Sequence, residues 1–175
     1  CCPRDAGVAG AQEGERRSLG EGAILVRAAA LAPPLEKALA DHGIPCRLVG
    51  EPSQEGYEPR TERVWIMTMH AAKGLEFDQV FVAGLEEGLL PFTLYDERGS
   101  GGDVPAERVE EERRLLYVAM TRARIGLRLS WARSRSFRGR ELELPPSRFL
   151  AGLAGLVPLV EAGPPRPRDP QLGLF

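Results

Sequence analysis

RVWIMTMHAAKGLEFDQVFVAGL, Arg63 to Leu85, is the stretch that decides how this chain folds. RVWIMTMH and QVFVAGL are short apolar runs rich in β-branched and aromatic residues, as in strands buried on both faces of a parallel sheet. Between them AAKGLEF turns the chain. A lysine–glycine pair beyond an apolar strand invites comparison with a phosphate loop. A Walker A loop needs Gly-x-x-x-x-Gly-Lys-Ser/Thr, because glycines let backbone N–H groups close on phosphate and the hydroxyl ligates magnesium. Here Ala71-Ala72-Lys73-Gly74-Leu75 has no first glycine, its lysine precedes the glycine, and no hydroxyl follows. Nor does a pair of adjacent carboxylates close an apolar strand elsewhere. Lys73 is not a Walker lysine. What the end of a parallel strand does offer is a place for ligand contacts. His70, Lys73 and Glu76 fall just beyond it. On spacing alone the alternative is a strand-capping His70 with Lys73 and Glu76 as a solvated pair.

Working outward, AILVRA (Ala23–Ala28) is another buried-strand run, and PPLEKALADHG reads as a helix with prolines in its first turn and Gly43 at its end. IPCRLVG returns to a strand, completing a βαβ-sized unit. Glu51 to Glu62 is a connection full of turn formers. LLPFTLYDERGSGGDVPAE reads as a long polar loop. RVEEERRLLYVAMTRAR, Arg108 to Arg124, is the clearest helix, with Leu115, Leu116, Val118 and Ala119 as its apolar face. GLRLSWAR is a fifth strand, and Pro146 to Leu156 suits a short final helix. Trp65 and Trp131 lie within strand patterns and read as core. Alternating strands and helices predict an α/β layer fold with a mainly parallel sheet.

The 175 residues make one ordinary domain, and a net charge of −2 leaves nucleic-acid contact to local patches. Cys1, Cys2 and Cys46 form neither a disulfide framework nor a metal pattern, so a cytoplasmic setting is expected and no metal ligands are assigned. No run is long and apolar enough for a membrane span, and no membrane partner is expected. The chain opens on Cys-Cys rather than Met, which reads as a fragment or a chain lacking its start.

Three segments then carry a resemblance when taken in order. TMHAAKGLEFDQVFVAGLEEGLLPF resembles motif V of the UvrD/Rep/PcrA-type superfamily 1 DNA helicases, EEERRLLYVAMTRAR resembles their motif VI, and ILVRAAALAPPLEKALADHGIPCRLVG resembles their motif IV region. In that family two RecA-like domains form the motor. The first carries Walker A and B; the second, 2A, closes over the nucleotide and contacts single-stranded DNA. The resemblance therefore implies a RecA-like three-layer 2A domain over residues 23–160. A leader or inter-domain segment spans 1–22, and a Pro-rich tether spans 161–175.

The same resemblance implies site roles. Arg122 matches the motif VI arginine finger and Arg27 the arginine that reaches the γ-phosphate, both catalytic; Gly74 and Glu76 match positions beside the phosphates and ribose of ATP. Thr68, His70 and Lys73 fall where the family touches DNA. From the residues alone, Arg122 pairing with Glu111 or Glu112 is the plainer alternative. ATP with Mg2+ is expected only together with a Walker-bearing N-terminal helicase domain, in cis or trans. The isolated chain is expected to be inactive.

Two departures matter. Val26 stands where the family has an adenine-stacking aromatic before the arginine, and the short Glu51–Glu62 link stands where larger relatives insert a 2B domain. The chain thus resembles the compact, 2B-lacking branch. Finally, Gln171-Leu172-Gly173-Leu174-Phe175 resembles the peptides that dock on the DNA polymerase sliding clamp, with Gln171, Leu172, Leu174 and Phe175 as contacts. This leaves two functional expectations: half of an ATP-dependent DNA helicase or translocase, or a non-catalytic DNA-repair adaptor docking on the clamp.

Overall fold

The computed structural model describes residues 19–49, 57–58, 61–93, 105–137 and 140–160. Five strands, β1 (Gly22–Val26), β2 (Cys46–Leu48), β3 (Val64–Thr68), β4 (Phe77–Ala83) and β5 (Ala123–Ser130), form one sheet in the order β2-β3-β1-β4-β5. Every pairing in it is parallel. Helix α1 (Ala32–Asp41) joins β1 to β2, and α2 (Ala106–Met120) precedes β5. The expected α/β fold with a mainly parallel sheet is what forms: a parallel five-stranded sheet with helices.

Period-2 alternation along the strands sorts side chains onto two faces. Ala23, Leu25, Trp65, Met67, Val80 and Val82 point to the face covered by Leu116 and Ala119 of α2. Val26 and Ala83 point the other way and pack with Leu35 of α1, Leu31 and Leu89. The core therefore lies mostly beneath α2. Trp65 is within it, and Trp131 packs at its margin.

The link from β3 to β4 passes over β1, because the two strands flank it. Only residues 69–76 make that passage, and Ala71 and Ala72 are buried within the α2-side core. Small side chains let the link lie close under the helix. Larger ones would force it off the sheet.

Helix α1 starts with Pro33 and Pro34, where missing N–H groups cost nothing, and Gly43 at φ +68 turns the chain out of it. The last segment differs from expectation: Arg148–Leu153 is 3-10 rather than α-helical, with Ser147 capping it by accepting the Phe149 N–H. The second difference is an antiparallel hairpin, β6 (Ser134–Phe137) with β7 (Arg140–Glu143), separate from the main sheet. The sequence pattern passes from the fifth strand to the short final segment with no hairpin expected between them.

Candidate functional site

At the amino edge of the sheet, α2 ends and the chain turns through Thr121 into β5. Arg122 stands in that turn. Its carbonyl accepts the Phe77 N–H at 2.9 Å, which ties the start of β5 to the start of β4. Its guanidinium donates to the carbonyls of Val118 and Leu75 at 3.0 and 3.2 Å, and to the Thr121 hydroxyl at 3.3 Å. All three acceptors are formally neutral. Among the described residues no carboxylate pairs with Arg122, so the alternative of an ion pair with Glu111 or Glu112 is not what forms. Gly74, at φ +87, and exposed Glu76 flank Leu75, whose carbonyl holds the arginine. Arg122, Gly74 and Glu76 are thus brought together.

A polar hollow of about 130 Å³ adjoins Glu76, lined by Glu21, Tyr57, Phe77, Asp78 and Arg124 among others. Arg124 donates to Asp78 Oδ1 from Nε at 2.9 Å and from Nη2 at 2.5 Å. That hydrogen bond, then the Asp78 charge, pushes the Arg124 guanidinium further up. Burial pushes the Tyr57 hydroxyl up, and Arg124 partly opposes it. Among the described residues no cluster of three or more His, Cys, Asp and Glu side chains is placed to hold a metal ion.

Thr68, His70 and Arg27 lie at the carboxyl edge, and Lys73 lies in the link that leaves it, next to Gly74. Thr68 is 5 % exposed, and its hydroxyl accepts the Ala71 N–H at 3.1 Å, so it faces its own turn. His70 and Lys73 are exposed. Arg27 follows β1 and is gripped by Glu112 of α2, with Nε to Oε2 at 2.8 Å and Nη2 to Oε1 at 2.7 Å. The Phe92 ring lies 5.2 Å from the same guanidinium, and the Phe92 N–H donates to Glu112 Oε2.

The structure does not bring Arg27 and Arg122 together. Arg27 adjoins the strand level of Ala83 and Arg122 that of Phe77. The run of β4 between those levels is about 20 Å at ~3.3 Å per residue. The side chains also turn to different partners. Arg27 is committed to a carboxylate, while Arg122 is held by neutral oxygens, so one phosphate does not meet both in this arrangement.

The hairpin leaves the same carboxyl edge, and the sequence places Arg133, Arg135, Arg138 and Arg140 in and beside it. The loop after β4 secures it at both ends. At the entry, Glu86 accepts the Ala132 N–H at 2.6 Å and Arg135 Nη2 at 2.8 Å. At the exit, Glu87 accepts the Arg148 N–H at 3.0 Å and its Nε at 2.9 Å. The Glu87 and Ser147 N–H groups donate to the Pro145 and Leu85 carbonyls, and the Ser147 hydroxyl to the Leu90 carbonyl. Gly139 between two short polar runs was the available hairpin signal, since tight turns favour glycine. Residues 171–175, assigned to clamp docking, lie outside the described residues.

The sequence model of the family described as the UvrD-like helicase C-terminal domain matches residues 51–134. The ATP-dependent DNA helicase UvrD2 of Mycobacterium tuberculosis is 51% identical over 98 residues, 56% of this chain and 13% of that protein. DNA helicase II of Escherichia coli is 46% identical over 92 residues, 53% of this chain and 12% of that protein. A solved structure described as the C-terminal domain of a possible DNA helicase from Lactobacillus plantarum aligns with TM-score 0.47 and 24% identity, over 75% of this chain and 61% of that one. The chain thus spans about an eighth of the length of these two curated relatives. With motif V running into β4 and motif VI running through α2 to Arg122, the chain belongs, over residues 51–134, to the UvrD-like helicase C-terminal domains of the UvrD/Rep type.

Proposed function

We propose that this chain is the second motor half of an ATP-dependent DNA helicase or translocase, acting with a Walker-bearing domain that binds ATP and Mg2+. The observation that carries the proposal is the state of Arg122. It is oriented by three neutral oxygens beside Gly74 and Glu76 and has no carboxylate partner among the described residues. Arg124, Arg27, Arg135 and Arg148 each face a carboxylate instead. An unneutralised, pre-oriented guanidinium suits the charge that builds on the equatorial oxygens during phosphoryl transfer. Gly74 permits close backbone approach, and Glu76 can accept from ribose hydroxyls. In this proposal Arg27 braces α2 against the end of β1, and the nucleotide site is built on the amino edge alone.

Single-stranded DNA is assigned to the carboxyl edge, through exposed His70 and the arginine-rich hairpin, with Thr68 shaping the turn beneath and exposed Lys73 in the adjoining link. Guanidinium and ammonium groups track a phosphate backbone without reading sequence. The test joins this chain to its Walker-bearing domain and measures DNA-stimulated ATP hydrolysis. Arg122→Ala is expected to lower kcat by about 10³-fold or more with the fold intact, and Arg122→Lys to recover only part of it. Turnover unchanged by Arg122→Ala would remove the finger assignment.

A further inference from the structure

We propose that Glu86 is a positioning residue for the β6–β7 hairpin, fixing the direction in which it leaves the sheet and so its hold on a single-stranded nucleic acid. The inference rests on the reading of the carboxyl edge as the DNA side. Glu86 is fully buried (0 % exposed), an unusual place for a carboxylate. It spends one oxygen on the hairpin's entry: Ala132 N–H from the strand connection and Arg135 from β6 itself. Its other oxygen has no hydrogen-bond partner among the described residues. An apolar pair of similar volume would satisfy such a position with less desolvation, so a buried ion pair here is poorly explained by stability. What a directional pair provides is one angle and one register.

The surroundings make that angle rigid. Leu85 N–H donates to the Ser130 carbonyl, and Glu86 bridges Pro146 in antiparallel fashion, so the loop lies between the two ends of the hairpin. Glu87 grips Arg148 at the exit. The far end of the loop is held through Phe92 N–H on Glu112, the carboxylate that also binds Arg27. Two adjacent glutamates therefore hold one end of the hairpin each. The loop bearing them is the direct continuation of β4, whose first residue follows Glu76. Strand β4 thus has the proposed nucleotide contacts at its start and the hairpin clasp at its end.

The experiment compares wild type, Glu86→Gln and Arg135→Gln. It measures amide hydrogen exchange along the chain and affinity for a fluorescent single-stranded oligonucleotide at fixed salt. Glu86→Gln removes a negative charge, so electrostatics alone would tighten DNA binding. Loss of positioning does the opposite, and a fall in affinity of at least five-fold is expected. Exchange at 134–137 and 140–143 should rise at least ten-fold while the β1–β4 ladder keeps its protection. Arg135→Gln breaks the pair from its more exposed side and should loosen the same amides, which decides the matter if Glu86→Gln fails to fold. Binding equal to or tighter than wild type in Glu86→Gln overturns the inference, as does protection lost uniformly across the sheet. A wild-type chain with no affinity for the oligonucleotide overturns the DNA reading first, and this role for Glu86 with it.

Discussion

Glu112 lies within a helix of largely exposed charged residues, yet its side chain is 6 % exposed and that of its partner Arg27 is 19 % exposed. The carboxylate accepts from two nitrogens of Arg27 and from Phe92 N–H, so three segments meet on it. Removing Arg27 strands a buried charge, which typically costs about 3–5 kcal/mol. Arg27→Ala is accordingly expected to lower unfolding free energy in urea by about that amount. Glu112→Gln should cost less, because Arg27 can still reach water. Replacing both by methionine should restore most of the loss; a double variant as unstable as Arg27→Ala would contradict this account. None of it could be read from local spacing, which offered Glu111 and Glu112 as partners of Arg122. The partners Arg27 and Glu112 stand 85 positions apart, and only the closed sheet makes them neighbours.

Among the elements, the main strands and helices were legible because they lie in runs whose apolar residues show a period or a buried stretch. The hairpin was not: β6 and β7 have four residues each, and their sequences, SRSF and RELE, show no run of apolar residues. It is held to the β4 loop by Glu86 and Glu87, a contact between distant segments. The short turn at Leu19–Glu21 is likewise fixed from outside, by Gly20 N–H on the Thr61 carbonyl at 2.7 Å. A Cβ at Gly20 would meet the Thr61 backbone N and O at 2.6 Å. A Cβ at Gly126, on the edge strand β5, would meet only the end of the Gln79 side chain. Backbone cannot yield as a glutamine tip can. Gly20→Ala should therefore destabilise the chain by about 1–3 kcal/mol and Gly126→Ala by under ~1 kcal/mol. Thermal unfolding of the two variants checks the contrast, and equal losses would refute it.

At the scale of the whole molecule, a near-neutral chain separates two chemistries by the length of its strands. The proposed nucleotide contacts Glu76 and Arg122 lie at one edge; His70 and the hairpin lie at the other, and Lys73 and Gly74 sit side by side in the link between them. The Walker-bearing partner required by the proposed function predicts that the purified chain hydrolyses no ATP, with or without single-stranded DNA. Turnover that survives repurification would mean a nucleotide site within this chain and would undo the two-domain proposal. For the clamp contact that the last five residues resemble, deleting Gln171 to Phe175 should abolish binding in a titration with the sliding clamp. Equal affinity with and without those residues would retire it.

The sequence by itself determined the α/β class, the main-sheet strands, the two α-helices and the family of residues 51–134, although it ran the second helix on to Arg124 where the structure ends it at Met120 and leaves Arg122 in the turn beyond. These follow from periodicity and from motifs whose residues are close in the chain. Tertiary structure alone decided the order β2-β3-β1-β4-β5, the pairing of Arg27 with Glu112, and the distance between the two arginines. It also decided that a hairpin springs from two glutamates of the β4 loop. The physical reason is common to all four. Ion pairs and strand neighbours depend on which distant segments share an edge of the sheet, and no local period encodes that choice.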